Sequence, residues 1–85
     1  MRFIAVYMSS ISNPSIEVGV GTNILKIRIM DDTLYFYCDV DTRDRKRTIQ
    51  FKIFKNGDHI IDKNIKYIDT IFDGLDGYHI YQIVE

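Results

Sequence analysis

Apolar and polar side chains alternate along most of this chain with a period of two. Residues 2–8 read as a first strand, and Ile16, Val18 and Val20 alternate with Glu17, Gly19 and Gly21 in a short second segment. Period-two patterning puts one set of side chains on each face of a strand, so the second segment predicts a strand as well. Between them, Ser9 to Ser15 holds the only proline, whose missing amide hydrogen and fixed φ mark a loop. The clearest pattern comes next. Leu25, Ile27 and Ile29 alternate with Lys26, Arg28 and Met30, and Leu34, Phe36, Cys38 and Val40 alternate with Tyr35, Tyr37, Asp39 and Asp41. A hairpin closed at Asp31-Asp32 sets Ile29 opposite Leu34, Ile27 opposite Phe36 and Leu25 opposite Cys38, all on one face. Its other face pairs Arg28 with Tyr35 and Lys26 with Tyr37. A slip of one residue would throw Ile27 and Phe36 to opposite faces, so the pattern itself sets the register. Asp-Asp is a poorer tight-turn pair than Asn-Gly, and a four-residue loop keeps the same pairing.

Thr42 to Arg47 is a charged loop. A strand follows it, with Ile49, Phe51 and Ile53 on one side and Gln50, Lys52 and Phe54 on the other, closed by Asn56-Gly57-Asp58. Tyr78 to Val84 predicts a last strand, entered through a Gly74-Leu75-Asp76-Gly77 turn. The stretch between supports two readings. Ile61, Ile65, Ile68 and Phe72 have helical spacing, with Asp58 as a candidate N-cap and Gly74 as a candidate C-terminal glycine. Residues 65–72 are rich in strand formers, however, and Asp62-Lys63-Asn64 suits a turn. Residue type favours extended structure.

Composition sharpens the fold class. Ile (15), Val (5), Thr (5), Tyr (6) and Phe (5) stand against one Ala, three Leu and two Glu in 85 residues. Branched and aromatic side chains fit a pleated, half-buried surface, whereas Ala, Leu and Glu are the ready helix formers. The expectation is an all-β fold, a mainly antiparallel small barrel or sandwich of six or seven short strands, with at most one short helix near 59–72. A length of 85 residues makes a single β domain, 1–85. Cys38 is the only cysteine, so no intrachain disulfide forms and the cytosol is the expected location. A net charge of −1 provides no global field toward nucleic acid or an anionic membrane. No apolar run nears the roughly 20 residues of a spanning helix. A domain this small without a disulfide is expected to self-associate.

Candidate chemistry is sparse. Zinc sites bring ligands together in close pairs, and here no two His or Cys residues lie within five positions of each other. His59 falls in a loop, His79 on a strand face, and Cys38 on the inward face of the hairpin, where a thiol is a small apolar filler rather than a nucleophile. The ten aspartates sit mostly in turns, where their side chains cap local amides. Serines cluster at 9–15 with no nearby histidine, and no phosphate-binding glycine loop is present. Neither an enzyme, nor a metal site, nor a cofactor is expected.

What remains is a surface. Lys26, Arg28, Tyr35, Tyr37, Lys52 and Phe54 fall on the outward faces of the hairpin and of the strand after it. Were these strands a meander, they would form one patch, with Arg43, Arg45, Lys46 and Arg47 at its edge. Cations interleaved with aromatic rings suit a protein interface, in which Tyr, Phe and Arg are enriched. They also suit a small anionic ligand such as a nucleotide, or single-stranded nucleic acid, although the net charge argues against the last. A solvated face, with Lys and Tyr stems covering the second side of the sheet, is the plain alternative. Charge is uneven as well: residues 43–55 hold six bases and one acid, and residues 57–76 hold five aspartates and two lysines.

Ile24-Leu25, Tyr35-Phe36-Tyr37 leading to Val40-Asp41, Arg47-Thr48-Ile49-Gln50-Phe51, Gly57-Asp58-His59, Tyr67-Ile68-Asp69-Thr70 and Tyr78-His79-Ile80-Tyr81 follow one another in that order. This succession resembles a family of small, mostly bacteriophage-encoded proteins with the pattern Val-Asp, Gly-His, Tyr-Ile-x-Thr, Trp-His-Val-Phe. The likeness covers about residues 16–82, with Tyr78 in place of the family's Trp and Asp58 inserted between Gly57 and His59. It implies an all-β fold with residues 65–72 extended, and a phage accessory protein that acts by binding. The functional expectation is therefore a non-enzymatic module that occupies and inhibits a host protein, a defence component being one such target. The alternatives are an oligomer that sequesters a nucleotide signal and a single-stranded nucleic-acid-binding barrel.

Overall fold

The alternating segments fold as strands, except that Val20, expected in the second of them, lies beyond its end and is 52% exposed. The computed structural model describes residues 1–84. It contains β1 (Arg2–Ser10), β2 (Ser15–Gly19), β3 (Asn23–Met30), β4 (Thr33–Asp41), β5 (Lys46–Lys55), β6 (Ile65–Asp73) and β7 (Asp76–Ile83). No helix occurs among the described residues. One sheet has the order β1-β4-β3 and the other β2-β5-β7-β6, with every pairing antiparallel. The two sheets pack face to face as an all-β sandwich.

The β3–β4 hairpin has the expected register at Ile29↔Leu34, Arg28↔Tyr35, Ile27↔Phe36 and Lys26↔Tyr37. Asp31 and Asp32, at φ 50° and 61°, form the two-residue turn, both in the left-handed region that Asp tolerates better than most residues. Further along, the expected Leu25–Cys38 pair is replaced. A bulge between Ile24 and Lys26 sets Ile24 opposite Cys38 and leaves Leu25 51% exposed. Neighbouring Ile and Leu give the alternation no preference for which of them is the extra residue.

The core lies between the sheets. Ile27, Leu34, Phe36, Cys38 and Val40 come from one, and Ile16, Val18, Ile49, Phe51 and Ile80 from the other. Phe36 and Phe51 stack across the interface with ring centroids 4.7 Å apart. Residues 59–72 form no helix. A second bulge, between Tyr67 and Asp69, resets the alternation of β6, so Ile68 and Ile71 both pack on the core despite their spacing of three. That shift produces the helical look of the sequence.

Two connections decide where the surface residues go. The 42–45 segment carries the chain from β4 into the opposite sheet, so β5 is not the third strand of a meander. Asp44 seals this crossing by accepting a hydrogen bond from the Gly21 amide at 3.2 Å, and a Cβ added at Gly19 would lie only 2.6 Å from the Asp44 Cβ. The 56–64 segment joins β5 to β6, which run parallel with β7 between them. It must therefore cross the sheet from end to end, and with the inner face filled by core it crosses the outer one.

Candidate functional site

The outer face of the three-stranded sheet follows directly from its register. Successive rows hold Ile4 beside Asp39, then Val6, Tyr37 and Lys26, then Met8, Tyr35 and Arg28, then Thr33 and Met30. Strand geometry spaces the columns roughly 4.8 Å apart and the rows roughly 7 Å. An apolar column thus runs beside a tyrosine column and a cationic one. Ile4, Val6, Met8 and Met30 are 51–67% exposed, and Lys26 and Arg28 are exposed too. Among the described residues neither cation has an ion-pair partner. The contribution of β1 was not anticipated, although Ile4, Val6 and Met8 share one parity in the sequence.

One end of this face is closed by charge. Arg2 Nε donates to Asp39 Oδ1 at 3.1 Å and its Nη2 pairs with Asp39 Oδ2. Arg43 Nη2 reaches Asp41 Oδ2 at 2.9 Å, and the N-terminal amine lies 3.2 Å from Asp41 Oδ1. The Arg2 hydrogen bond holds the Asp39 carboxyl below its ordinary range. Arg43, through its side chain and then its backbone amide, does the same for Asp41. Arg43 is thereby occupied at the rim, while Arg45, Lys46 and Arg47 lie exposed on the way into the other sheet.

Lys52 and Phe54 do not join this patch. With β5 in the other sheet, they occupy the opposite outer surface of the sandwich, and the single surface expected from a meander is two. Lys52 Nζ sits 2.5 Å from Asp62 Oδ2, which belongs to the 56–64 crossing, and 5.5 Å from the centre of the Phe54 ring. Phe54 points outward yet is only 6% exposed. Tyr81 meets it edge-on at 5.3 Å, and Tyr67 meets Tyr81 at 5.5 Å.

Beside these rings runs a hydrogen-bonded chain. The Tyr67 hydroxyl is 2.7 Å from Thr70 Oγ1, Thr70 Oγ1 is 3.1 Å from His79 Nδ1, and His79 Nε2 is 2.7 Å from Asn56 Oδ1. Asn56 Oδ1 can only accept, so His79 Nε2 donates to it. The chain ties β6, β7 and the start of the 56–64 crossing together. Counting back through the Gly74-Leu75 turn, where Gly74 stands at φ +63°, pairs Thr70 with His79. That signal was available in the sequence. The bulge that brings Tyr67 to the same face was not. His59 is exposed in the crossing.

Among the described residues no three His, Cys, Asp or Glu side chains converge as a metal site, and no helix is long and apolar enough to cross a membrane. Burial pushes the Cys38 thiol up to about 11, so at neutral pH it is protonated and unreactive. Residues 5–85 match the model of a domain of unknown function, DUF7352. The chain belongs to that family. No curated protein and no solved structure matches this DUF7352 chain.

Proposed function

We propose that this chain is a non-enzymatic binding module whose contact surface is the outer face of the three-stranded sheet. One observation carries the reading: Ile4, Val6 and Met8 stand exposed beside Tyr35, Tyr37, Lys26 and Arg28 on a single sheet face. Burying such a face releases water from apolar surface, and tyrosine and arginine are the residues that most often anchor protein contacts. The partner chemistry follows from the columns: an apolar ridge to lie over β1 and carboxylates to meet Lys26 and Arg28. In this reading the partner is a host protein, held in the cytosol and inhibited by being occupied, which is what the likeness to phage proteins suggests. Self-association through the same face would compete with it.

Affinity capture from host lysate, with proteins and co-purified small molecules identified together by mass spectrometry, tests this. The wild-type chain is expected to retain one host protein, and a Tyr35→Ala/Tyr37→Ala variant to lose it while melting within a few degrees of wild type. Undiminished capture by the folded variant would remove the site. A nucleotide in place of a protein would turn the reading toward sequestration of an anionic signal.

A further inference from the structure

The four-stranded sheet contains a notch at its centre. β5 pairs with β2 through residues 46–50 and with β7 through residues 51–55, on opposite edges. The Phe51 amide donates to the Pro14 carbonyl at 2.9 Å, and the Val20 amide donates to the Arg45 carbonyl at 2.8 Å. Odd-numbered residues of β5 therefore direct their backbone groups to β2. By the alternation of an antiparallel ladder, Lys46, Thr48 and Gln50 direct theirs to the other edge. There the β7 ladder stops at Gln82. Ile83 stays with Ile65 of β6, and the Val84 amide donates to the Asn64 carbonyl at 2.8 Å, so β7 veers away from β5. The divergence opens a cleft of about 730 Å³ lined by Arg47, Thr48 and Gln50 on one wall and by Lys66, Gln82 and Ile83 on the other. Elsewhere an edge strand presents its backbone groups to open solvent. Here the amide and carbonyl of Thr48 and the amide of Gln50, which neither ladder pairs, look into a gap between two strands of one sheet, while the Gln50 carbonyl closes the last rung by accepting from the Ile83 amide.

Among the described residues, the charges lining the gap are of one sign. Arg47 and Lys66 line it, Lys46 adjoins it, and among the described residues none of the three has an ion-pair partner. Glu17 stands opposite Thr48 on the β2 side. We propose that this fork is a strand-addition site for an extended peptide bearing carboxylate side chains. The peptide runs antiparallel to β5, exchanges backbone hydrogen bonds with Thr48, accepts one more from the Gln50 amide, and directs acidic side chains to Arg47 and Lys66. Backbone pairing supplies affinity in such a mode and the side-chain charges supply selectivity. The site lies in the other sheet from the face proposed above and stands independently of it.

The test uses the isotope-labelled full chain and two acetylated, amidated probes, one of four Thr-Glu repeats and one of four Thr-Lys repeats. The Thr-Glu peptide is expected to shift the Thr48 and Gln50 amide resonances saturably and to slow their hydrogen exchange, binding at least about tenfold more tightly than the Thr-Lys peptide. Thr48→Pro removes one amide that faces the fork and none that bonds to β2, so it should keep the melting temperature and weaken binding about tenfold or more. If that variant does not fold, Arg47→Glu/Lys66→Glu serves instead and should reverse the preference between the probes. Four results would overturn the proposal: no shift at Thr48 and Gln50 with millimolar peptide, shifts confined to the Tyr35 and Tyr37 face, equal binding of both probes, or slow exchange of those amides already in the free protein.

Discussion

On the outer face of the three-stranded sheet, Lys26 and Arg28 stand beside Tyr37 and Tyr35 with exposed Val6 and Met8 on the far side. On the outer face of the four-stranded sheet, Lys52 stands beside Phe54 and Tyr81, but Asp62 neutralises the cation and the ring is buried. The side-chain types are alike and their states are opposite. Connectivity makes the difference. β3 and β4 are joined by a two-residue turn that cannot reach over their sheet, whereas β5 and β6 are joined across β7 by a segment that has no route except over the rings. Cation and aromatic content alone therefore does not mark a binding surface. What marks one is a topology that leaves the content uncovered.

The sharpest way to break this contrast is a pair of truncations. Phe54→Ala should cost about 3 kcal/mol, the lower end for a buried Phe, and Tyr37→Ala less than about 1 kcal/mol, both measured by urea denaturation. Similar costs would mean that the two faces are not in different states. Cys38 sharpens the view of what lies between the faces. Its folded pKa, about 11, is above the ordinary 9.0, so the folded chain binds the proton more tightly than the unfolded one. Its contribution is complete below pH 9 and is lost as pH rises toward 11. Native protein should resist a disulfide-exchange reagent at pH 8 and react once unfolded.

Smaller effects probe each face separately. Asp62→Asn should free Lys52, speed hydrogen exchange in the 56–64 crossing and cost at most about 1 kcal/mol, since the pair is half open to water. Unchanged exchange there would show that the Lys52–Asp62 pair does not hold the crossing. At the charged end of the three-stranded sheet, Asp39 and Asp41 have depressed pKa values, so their stabilisation is present above the ordinary carboxylate range and fades as pH falls below it. Their arginine partners are exposed, so 1 M salt should flatten that acid dependence of the denaturation midpoint.

Much of the fold was legible because alternation reports which face a residue occupies. Ile27, Leu34, Phe36 and Cys38 were assigned inward from parity, and all are buried. Alternation does not report which strand lies alongside. The four residues between β4 and β5 would serve equally for a meander or for a change of sheet, and the divided patch follows from that ambiguity. Bulges are silent for a related reason: at Ile24-Leu25 either apolar residue could be the extra one, and at Ile68 residue type does not mark an insertion, so only packing selects it. The fate of Phe54 was hidden too, because alternation does not reveal that Tyr81 and Lys52 pack against its ring.

The order of strands along the chain also bears on how the protein assembles as it leaves the ribosome. β1 pairs with β4 and β2 with β5, so neither early strand has a partner until later sequence has emerged. The first pairing available at short range is the β3–β4 hairpin at Asp31-Asp32, which makes it the natural nucleus onto which β1 later docks. Until then the nascent β1 segment carries Phe3, Ile4, Val6, Tyr7 and Met8 unpaired, a sticky tract that a holdase would shield or a crowded cell would aggregate.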